Sequence, residues 1–460
     1  MSAPSIVWLR DDLRVADNPA LHAAMERGEP VVVVYVLDDE SEGVRPLGGA
    51  SRWWLHHSLA ALDESLRAIG VTLTLRRGAA AAAITQLVAD VGAGAVFWNR
   101  RYGHGPRQVD AGLKAGLRDG GVVADSFQAN LLFEPWTIQT GQGQPFKVFT
   151  PFYRACLDRP EPRQPLDEPR SLTAPAASVA SDALDDWGLL PTRPDWAAGL
   201  RETWTPGEAA ALDTLEDFAT GALADYGDRD FPAQEATSRL SPRLRFGEIS
   251  PFQIWHRMRG ALPDASRERA QSFLREVVWR EFNHTILFTS PDLATVSYRP
   301  EFESFPWADV PESEIDAWRH GRTGVPLVDA GMRQLWTTGW MHNRVRMVTA
   351  SFLIKNMLVD WRVGEAWFWD TLVDADEANN PANWQWTAGS GADAAPYFRV
   401  FNPVLQASKF DQHRDYIRQW VPEVDDDDYP EPLVDLKASR RAALDAYETM
   451  RRTPVETEQP

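Results

Sequence analysis

Residues 31–37 read VVVVYVL, seven consecutive apolar residues of which five are Val. A run this short, β-branched and without polar alternation describes a strand buried on both faces, as in a parallel sheet covered by helices. Working outward, similar runs appear in SIVWLR from residue 5, VTLTL at 71–75, AVFW at 95–98 and VVADSF at 122–127. The segments between them are long enough to be crossovers, and RWWLHHSLAALDESLRAI at 52–69 carries the 3.6-residue period of an amphipathic helix. Residues 1–128 therefore read as an α/β domain built on a doubly wound parallel sheet. No G-x-G-x-x-G follows the first strand, and the pair Gly92 and Gly94 is too weak to replace that dinucleotide fingerprint.

The pattern decays over 129–204, where Pro recurs at 135, 145, 151, 160, 162, 165, 169, 175, 191 and 194, the mark of an interdomain connector. From 205 to 450 the β signal is nearly absent. Stretches such as PGEAAALDTLEDFATGAL, RAQSFLREVVWREFNHTILF, VPLVDAGMRQLWTTG, VRMVTASFLIKNMLVDW and ASRRAALDAYETMRR predict a larger, all-α domain, followed by a short polar tail at 451–460. The run DDDD at 425–428 reads as a solvated acidic loop.

Composition narrows the classes. The 460 residues are 44% hydrophobic and 25% charged, with no apolar run approaching a bilayer span, so no membrane association is expected. The start, MSAPSIVWLR, lacks a cationic region followed by a long apolar stretch, and the single cysteine, Cys156, suits a reducing compartment; the expected location is the cytoplasm. A net charge of -19 argues against non-specific coating of nucleic acid, so any DNA site must be a local basic patch. One candidate is 239–280, which holds nine Arg (239, 243, 245, 257, 259, 267, 269, 275 and 280) against four acids. Twenty Trp exceed what packing alone requires, since Leu fills a core equally well.

Three constellations carry potential chemistry. In ATSRLSPRLRFGEISP at 236–251, the hydroxyls of Thr237, Ser238 and Ser241 surround Arg239 just before a helix; the group suits a pyrophosphate and equally an N-cap with its loop. In FLREVVWREF, the i, i+3, i+4 spacing places Glu276, Trp279 and Arg280 on one helix face, either a surface ion pair beside a half-buried Trp or one wall of a base-binding pocket. In NWQWTAGSGADAAPYF, Trp384 and Trp386 point in nearly opposite directions if helical, one toward a buried cofactor and the other toward a cleft. Asp374, Asp376 and Asn380 precede them and need polar partners if buried, which a heterocycle with ribose hydroxyls and ring N–H groups would supply. Asn343 and Met347 share a helix face, and His342 has no second His at ligand spacing, so no metal site is expected.

Taken in order, TSRLSP, EVVWREF, GRTGVPLVDAGMRQL, GWMHNRVRM, LVDADEANNPANWQW and GSGADAAPYFRVFNP resemble the photolyase/cryptochrome family over nearly the whole chain. The opening VWLRDDLRVADNPAL matches as well, and RPLGGASRWWLHHSLAAL with WNRRY at 98–102 is most like its bacterial class III cyclobutane pyrimidine dimer photolyases. MHN at 341–343 resembles members acting on cyclobutane dimers, whereas relatives acting on (6-4) photoproducts usually carry a His pair there. The resemblance implies FAD in the helical domain and UV-damaged DNA as partner, acted on as a monomer with no obligate protein partner. It implies Tyr226, Thr237, Ser238, Arg239, Leu240 and Ser241 at the FAD phosphates. Arg280, Asn343, Arg346, Asp374, Asp376 and Asn380 would surround the ribityl chain and flavin ring, with Asn380 near N5. Glu276, Trp279, Asn343, Arg344, Met347 and Trp386 would meet the flipped dimer, and Trp384, Trp361 and Trp307 would form a photoreduction chain.

Two features depart from the family pattern. After WVPEV at 420–424 the chain runs directly through DDDDYPEPLVDL, without the longer segment relatives usually carry. Arg100, Arg101 and Tyr102 do not match the folate contacts of the best-known bacterial class; an antenna chromophore is still expected, with methenyltetrahydrofolate favoured and deazaflavin the alternative. Trp53 or Trp54 would stack on it, unless the helix buries both. The alternative within the family is a cryptochrome, a blue-light photoreceptor without repair; Asn380, where plant cryptochromes place Asp, and the Glu276, Trp279, Trp386 set stand against it.

Overall fold

The computed structural model describes residues 3–394 and 398–452; residues 453–460 of the expected polar tail lie outside the described residues. Strands β1 (Ser5–Leu9), β2 (Val31–Leu37), β3 (Leu73–Arg77), β4 (Ala95–Asn99) and β5 (Val123–Phe127) form one sheet in the order β3-β2-β1-β4-β5, every pair parallel. All seven residues of β2 are buried, as a strand covered on both faces requires. Side-chain alternation divides them: Val33 and Tyr35 pack with Trp53 and Trp54 of the helix Gly49–Ala68, while Val32, Val34 and Val36 pack with Ile84, Leu87 and Leu113 on the other face. Each buried Val adds roughly 1.5–3 kcal/mol of transfer free energy, enough to hold register without polar contacts. The strand order reverses beside β1, which opens a crevice at the carboxyl ends of β1 and β4.

Among the described residues no strand follows β5, and the second half is helical. Its longest helix, Asp264–Thr289, carries Glu276, Trp279 and Arg280. Two expectations need correction. The Pro-rich stretch 129–204 is not only a connector: it forms the helix Phe149–Leu157, whose Phe149, Phe152 and Cys156 are buried in the helical core, and Trp187 packs against the sheet side. The apolar period over 345–361 does not give one helix. Asn343–Ser351 runs into a π turn, Phe352–Asn356, and Leu358 adopts φ 56° before a new helix starts at Trp361 with Asp360 as its cap. The acidic loop at 425–428 is exposed, with Asp425 paired to Arg414 and Arg418. Among the described residues no helix is long and apolar enough to cross a membrane.

The two halves join through backbone as much as side chains. Leu13 N donates to Phe246 O at 3.0 Å, Arg14 donates to Gly247 O, and the Glu208 carboxylate accepts from Val15 N and Ala16 N at 2.7 and 2.9 Å. Burial pushes the Glu208 carboxyl up to about 7. Gly247 sits at φ 63°, where a Cβ would lie 2.1 Å from the Asp11 carbonyl oxygen. Gly247→Ala meets both the left-handed backbone and that contact, so it is expected to cost more than about 1 kcal/mol. The check is the denaturant midpoint, which should fall with the slope unchanged; an unmoved midpoint would show that this junction relaxes freely.

Candidate functional site

The two aromatic walls expected from sequence meet. Trp279, near the middle of the 264–289 helix, and Trp386, on the helix Asn379–Ala388, line one cleft with Asn283, Gln385 and Ala392, enclosing about 330 Å³ of atom-free space including its mouth. Both rings are half-buried. Trp279 is backed by Phe149, stacked at 3.6 Å between centroids and 8° between planes, and Trp386 Nε1 donates to Asp393 O at 3.1 Å. Each ring is thus fixed from behind and offers its other surface, the arrangement that stacking on flat heterocycles needs. Phe149 escapes a reading of sequence because it comes from the Pro-rich stretch, far from either motif.

Glu276 stands one turn before Trp279, 42% exposed, and pairs with Arg229 at 3.4 Å. Desolvation raises its carboxyl above the ordinary range, with Arg229 opposing. Asp230, the next residue, takes Arg344 at 2.5 Å, so the pairs Glu276–Arg229 and Asp230–Arg344 tie the 264–289 helix to the helix Asn343–Ser351. Asn343 begins that helix, exposed, and Met347 lies one turn on, half-buried. His342 caps it by accepting from Arg344 N, and burial lowers its imidazole to about 4, so it sits neutral.

Asp374 is the polar hub. Its carboxylate, 4% exposed, receives Arg346 in a two-pronged contact at 3.0 and 2.8 Å and the Ser241 hydroxyl at 2.7 Å. Thr237, Ser238 and Arg239 form the loop before the one-turn helix Ser241–Arg245, Leu240 is buried beneath it, and Arg239 holds φ 51° with its guanidinium 5.0 Å from the Trp340 ring. Tyr226 is 5% exposed, its ring edge-on to Phe218 and Phe273. Asn380 is buried, and its amide nitrogen donates twice to Glu365, to the carboxylate at 2.8 Å and to the backbone carbonyl at 3.0 Å. The donor set is what a dinucleotide requires: guanidinia and hydroxyls for phosphate, carboxylates and an amide for ribose and ring N–H groups.

Two expected members face elsewhere. Arg280 donates to Asn130 O at 2.6 Å, and with Asp376 it lines a cavity between the domains rather than the group around Asp374. The Asp376 carboxylate is also engaged by Ala378 N and the Asn379 amide. The basic patch at 239–280 does not form either. Arg239, Arg243 and Arg267 pair with the nearby acids Glu235, Glu248 and Asp264, and Arg245, Arg257 and Arg259 with Asp11, Glu216 and Glu161, which folding brings from distant positions. Trp53 and Trp54 are 1% and 0% exposed, with Trp54 Nε1 held by Glu248, so neither can stack on an antenna.

Trp384 faces inward, opposite to Trp386, and is buried with Trp361 in one apolar cluster on which the half-buried Trp307 packs. Its nearest rings are Phe368 at 4.9 Å and Trp318 at 6.3 Å, neither legible from motif spacing. Gly364 lies against it, where a Cβ would be 2.1 Å from the Trp384 ring.

Family models match twice: the DNA photolyase model over residues 5–170 and the FAD binding domain of DNA photolyase over residues 273–427. The chain is 49% identical to a deoxyribodipyrimidine photo-lyase of Agrobacterium fabrum, covering 98% of this chain and 99% of that one. It is 38% identical to cryptochrome-1 of Arabidopsis thaliana over 91% of this chain and 63% of the relative. A bacterial class III photolyase from Agrobacterium tumefaciens has the same structure with a TM-score of 0.94 at 48% identity, covering 98% of each chain. Matched by both family models and 49% identical over 98% of its length to a photo-lyase, with a parallel sheet followed by a helical half, the chain belongs to the photolyase/cryptochrome family.

Proposed function

We propose that this protein reverses cyclobutane pyrimidine dimers in DNA, driven by light and using FAD. The observation that carries the reading is the cleft in which Trp279 and Trp386 present fixed rings beside Glu276. A dimer must leave the duplex to enter it, which costs a few kcal/mol, less for a lesion that already stacks badly. Each base–aromatic contact returns about 1–3 kcal/mol, so the two rings together offset the flip. Arg229 and Arg344, paired with Glu276 and Asp230, tie the helix of Asn343 and Met347 to that of Glu276, and Arg275 lies close enough to Glu276 to add positive charge there. FAD, when bound and reduced, supplies the light-excited electron donor. Arg346, Asp374, Ser241, Thr237, Ser238, Arg239 and Asn380 are the residues that hold it, with Tyr226 and Leu240 as packing beneath. Trp384, Trp361 and Trp307 are assigned to carry electrons inward.

Glu276 has the chemistry of a proton-bearing donor. Its carboxyl is raised, so the protonated form persists to higher pH than for an ordinary Glu, and it can hydrogen-bond the carbonyl edge of a pyrimidine as negative charge develops there. For an antenna we assign the cavity at the carboxyl ends of β1, β2 and β4, bordered by Arg10, Tyr35, Arg101, Tyr102 and His284, with about 1020 Å³ of atom-free space partly open to solvent. Its guanidinia suit an anionic chromophore, and mass spectrometry of the extracted pigment decides between methenyltetrahydrofolate and deazaflavin. The deciding experiment for repair uses the purified, reduced protein with UV-irradiated oligothymidine. Absorbance near about 260 nm should recover under blue light and not in the dark. No recovery despite bound FAD would move the protein to the photoreceptor reading.

The geometry makes four predictions. Glu276→Ala should keep FAD and lower the repair rate by about tenfold or more, the weight of one charge-assisted hydrogen bond. Wild-type repair should decline as pH rises through the raised carboxyl value, whereas Glu276→Gln, a permanent donor, should show a flat profile; matching profiles would remove the carboxyl from the reaction. Trp386→Ala should weaken binding of dimer-containing DNA by roughly 5- to 150-fold, with little effect on undamaged DNA. With only about three cations at the mouth, the slope of log affinity against log salt should be no steeper than about -3. Both are read in one fluorescence-anisotropy titration.

A further inference from the structure

The loop before the helix Gly49–Ala68 reaches out of the α/β domain and lays Arg45 on the helical domain. Its guanidinium grips the Glu365 carboxylate with both prongs, at 2.6 and 2.9 Å, and lies 4.0 Å from the centre of the Trp369 ring. Glu365 is 3% exposed, and the same carboxylate receives the Asn380 amide nitrogen at 2.8 Å. The loop is strapped on both sides of that contact. Trp369 Nε1 donates to Pro46 O at 2.9 Å, and Gly49 N donates to Asp370 Oδ1 at 2.8 Å. These bonds form a relay from one domain to a buried amide in the other: Arg45 to Glu365 to Asn380.

The relay decides which end of that amide is free. Both hydrogens of Asn380 Nδ2 are spent on Glu365, one on its carboxylate and one on its backbone carbonyl, so Oδ1 is the atom left to meet a ligand. An amide that presents only an acceptor favours a partner bearing N–H over one bearing a lone pair. We infer that Arg45 is a positioning residue by which the α/β domain sets the redox balance of the cofactor in the helical domain, holding Glu365 so that Asn380 offers its oxygen to the reduced, N–H form of the flavin. The inference rests on the reading that Asn380 faces the flavin ring. Without Arg45, the carboxylate either keeps an uncompensated buried charge, which opposes adding electrons nearby, or takes up a proton and releases its hold on the amide. Both consequences disfavour the reduced cofactor.

The test is the midpoint potential of FAD in the purified holoprotein, by equilibrium titration against a reference dye, with FAD content measured for each variant. Arg45→Met should keep FAD and shift the reduction equilibrium about tenfold toward the oxidised form, the weight of one charge-assisted hydrogen bond. In a Glu365→Gln background the same Arg45→Met change should do nothing further, because its effect passes through the carboxylate. Asp370→Asn, which loosens the same domain contact without touching Glu365, should stay within about twofold of wild type. A wild-type potential in Arg45→Met, an equal shift in Asp370→Asn, or a full Arg45→Met effect in the Glu365→Gln background each overturns the inference. Asn380→Ala separates the levels: no shift there removes the flavin-facing reading itself, whereas a shift there without one in Arg45→Met removes only the relay. Should Arg45→Met fail to fold, Arg45→Gln carries the same comparison.

Discussion

One helix, Trp361–Thr371, brings together a contact between the two halves of the molecule, a buried amide and a buried aromatic cluster, and its fit is set by the absence of a side chain. Gly364 lets the Trp384 ring approach to a distance that any Cβ would forbid. The adjacent residue, Glu365, meets Asn380 on the same neighbouring helix and Arg45 from the other domain. Trp361 begins this helix and Trp369 closes its last turn against Pro46. Interiors packed to crystal density transmit small displacements instead of absorbing them. A shift of this helix therefore moves the aromatic path, the buried amide and the domain contact together.

The electrostatics follow a second constraint, that buried charge must be paired. Asp374 is balanced by Arg346, Glu248 by Arg243 and Glu365 by Arg45. Many other arginines are engaged by acids as well, at the surface as in the interior, so a chain of net charge -19 keeps little free positive charge for phosphate. On the proposed reading, affinity comes from fitting a lesion into the aromatic cleft more than from attraction to the backbone. Beside Glu276, Arg229 and Arg344 stay partly exposed while paired with Glu276 and Asp230.

Much of this was legible beforehand. Short continuous apolar runs placed the five strands to within two residues, because a doubly buried strand and an amphipathic helix leave different apolar signatures. The opposed directions of Trp384 and Trp386 followed from helical geometry alone. The failures have physical causes. The Pro-rich stretch looked like a connector because propensity says nothing of Phe149 and Phe152 finding a distant core. The π turn at 352–356 interrupts a period that looked continuous, since one extra residue in a turn does not alter composition. Arg280 shares the helix of Glu276 and Trp279, and its long stem carries the charge across to Asn130, a partner that no local pattern reveals.

Sequence by itself determined the layers, the order of the elements and the identity of the two aromatic walls, because these depend on periodicity and on residues whose helix is continuous. Tertiary structure alone decided which charges are spent and which are offered. Local patterns carry no information about partners hundreds of positions away, yet Arg45 and Glu365, or Arg245 and Asp11, neutralise one another across the domain junction. The free energy of a buried ion depends on what lies within a few ångströms in space, and folding is what brings those groups there.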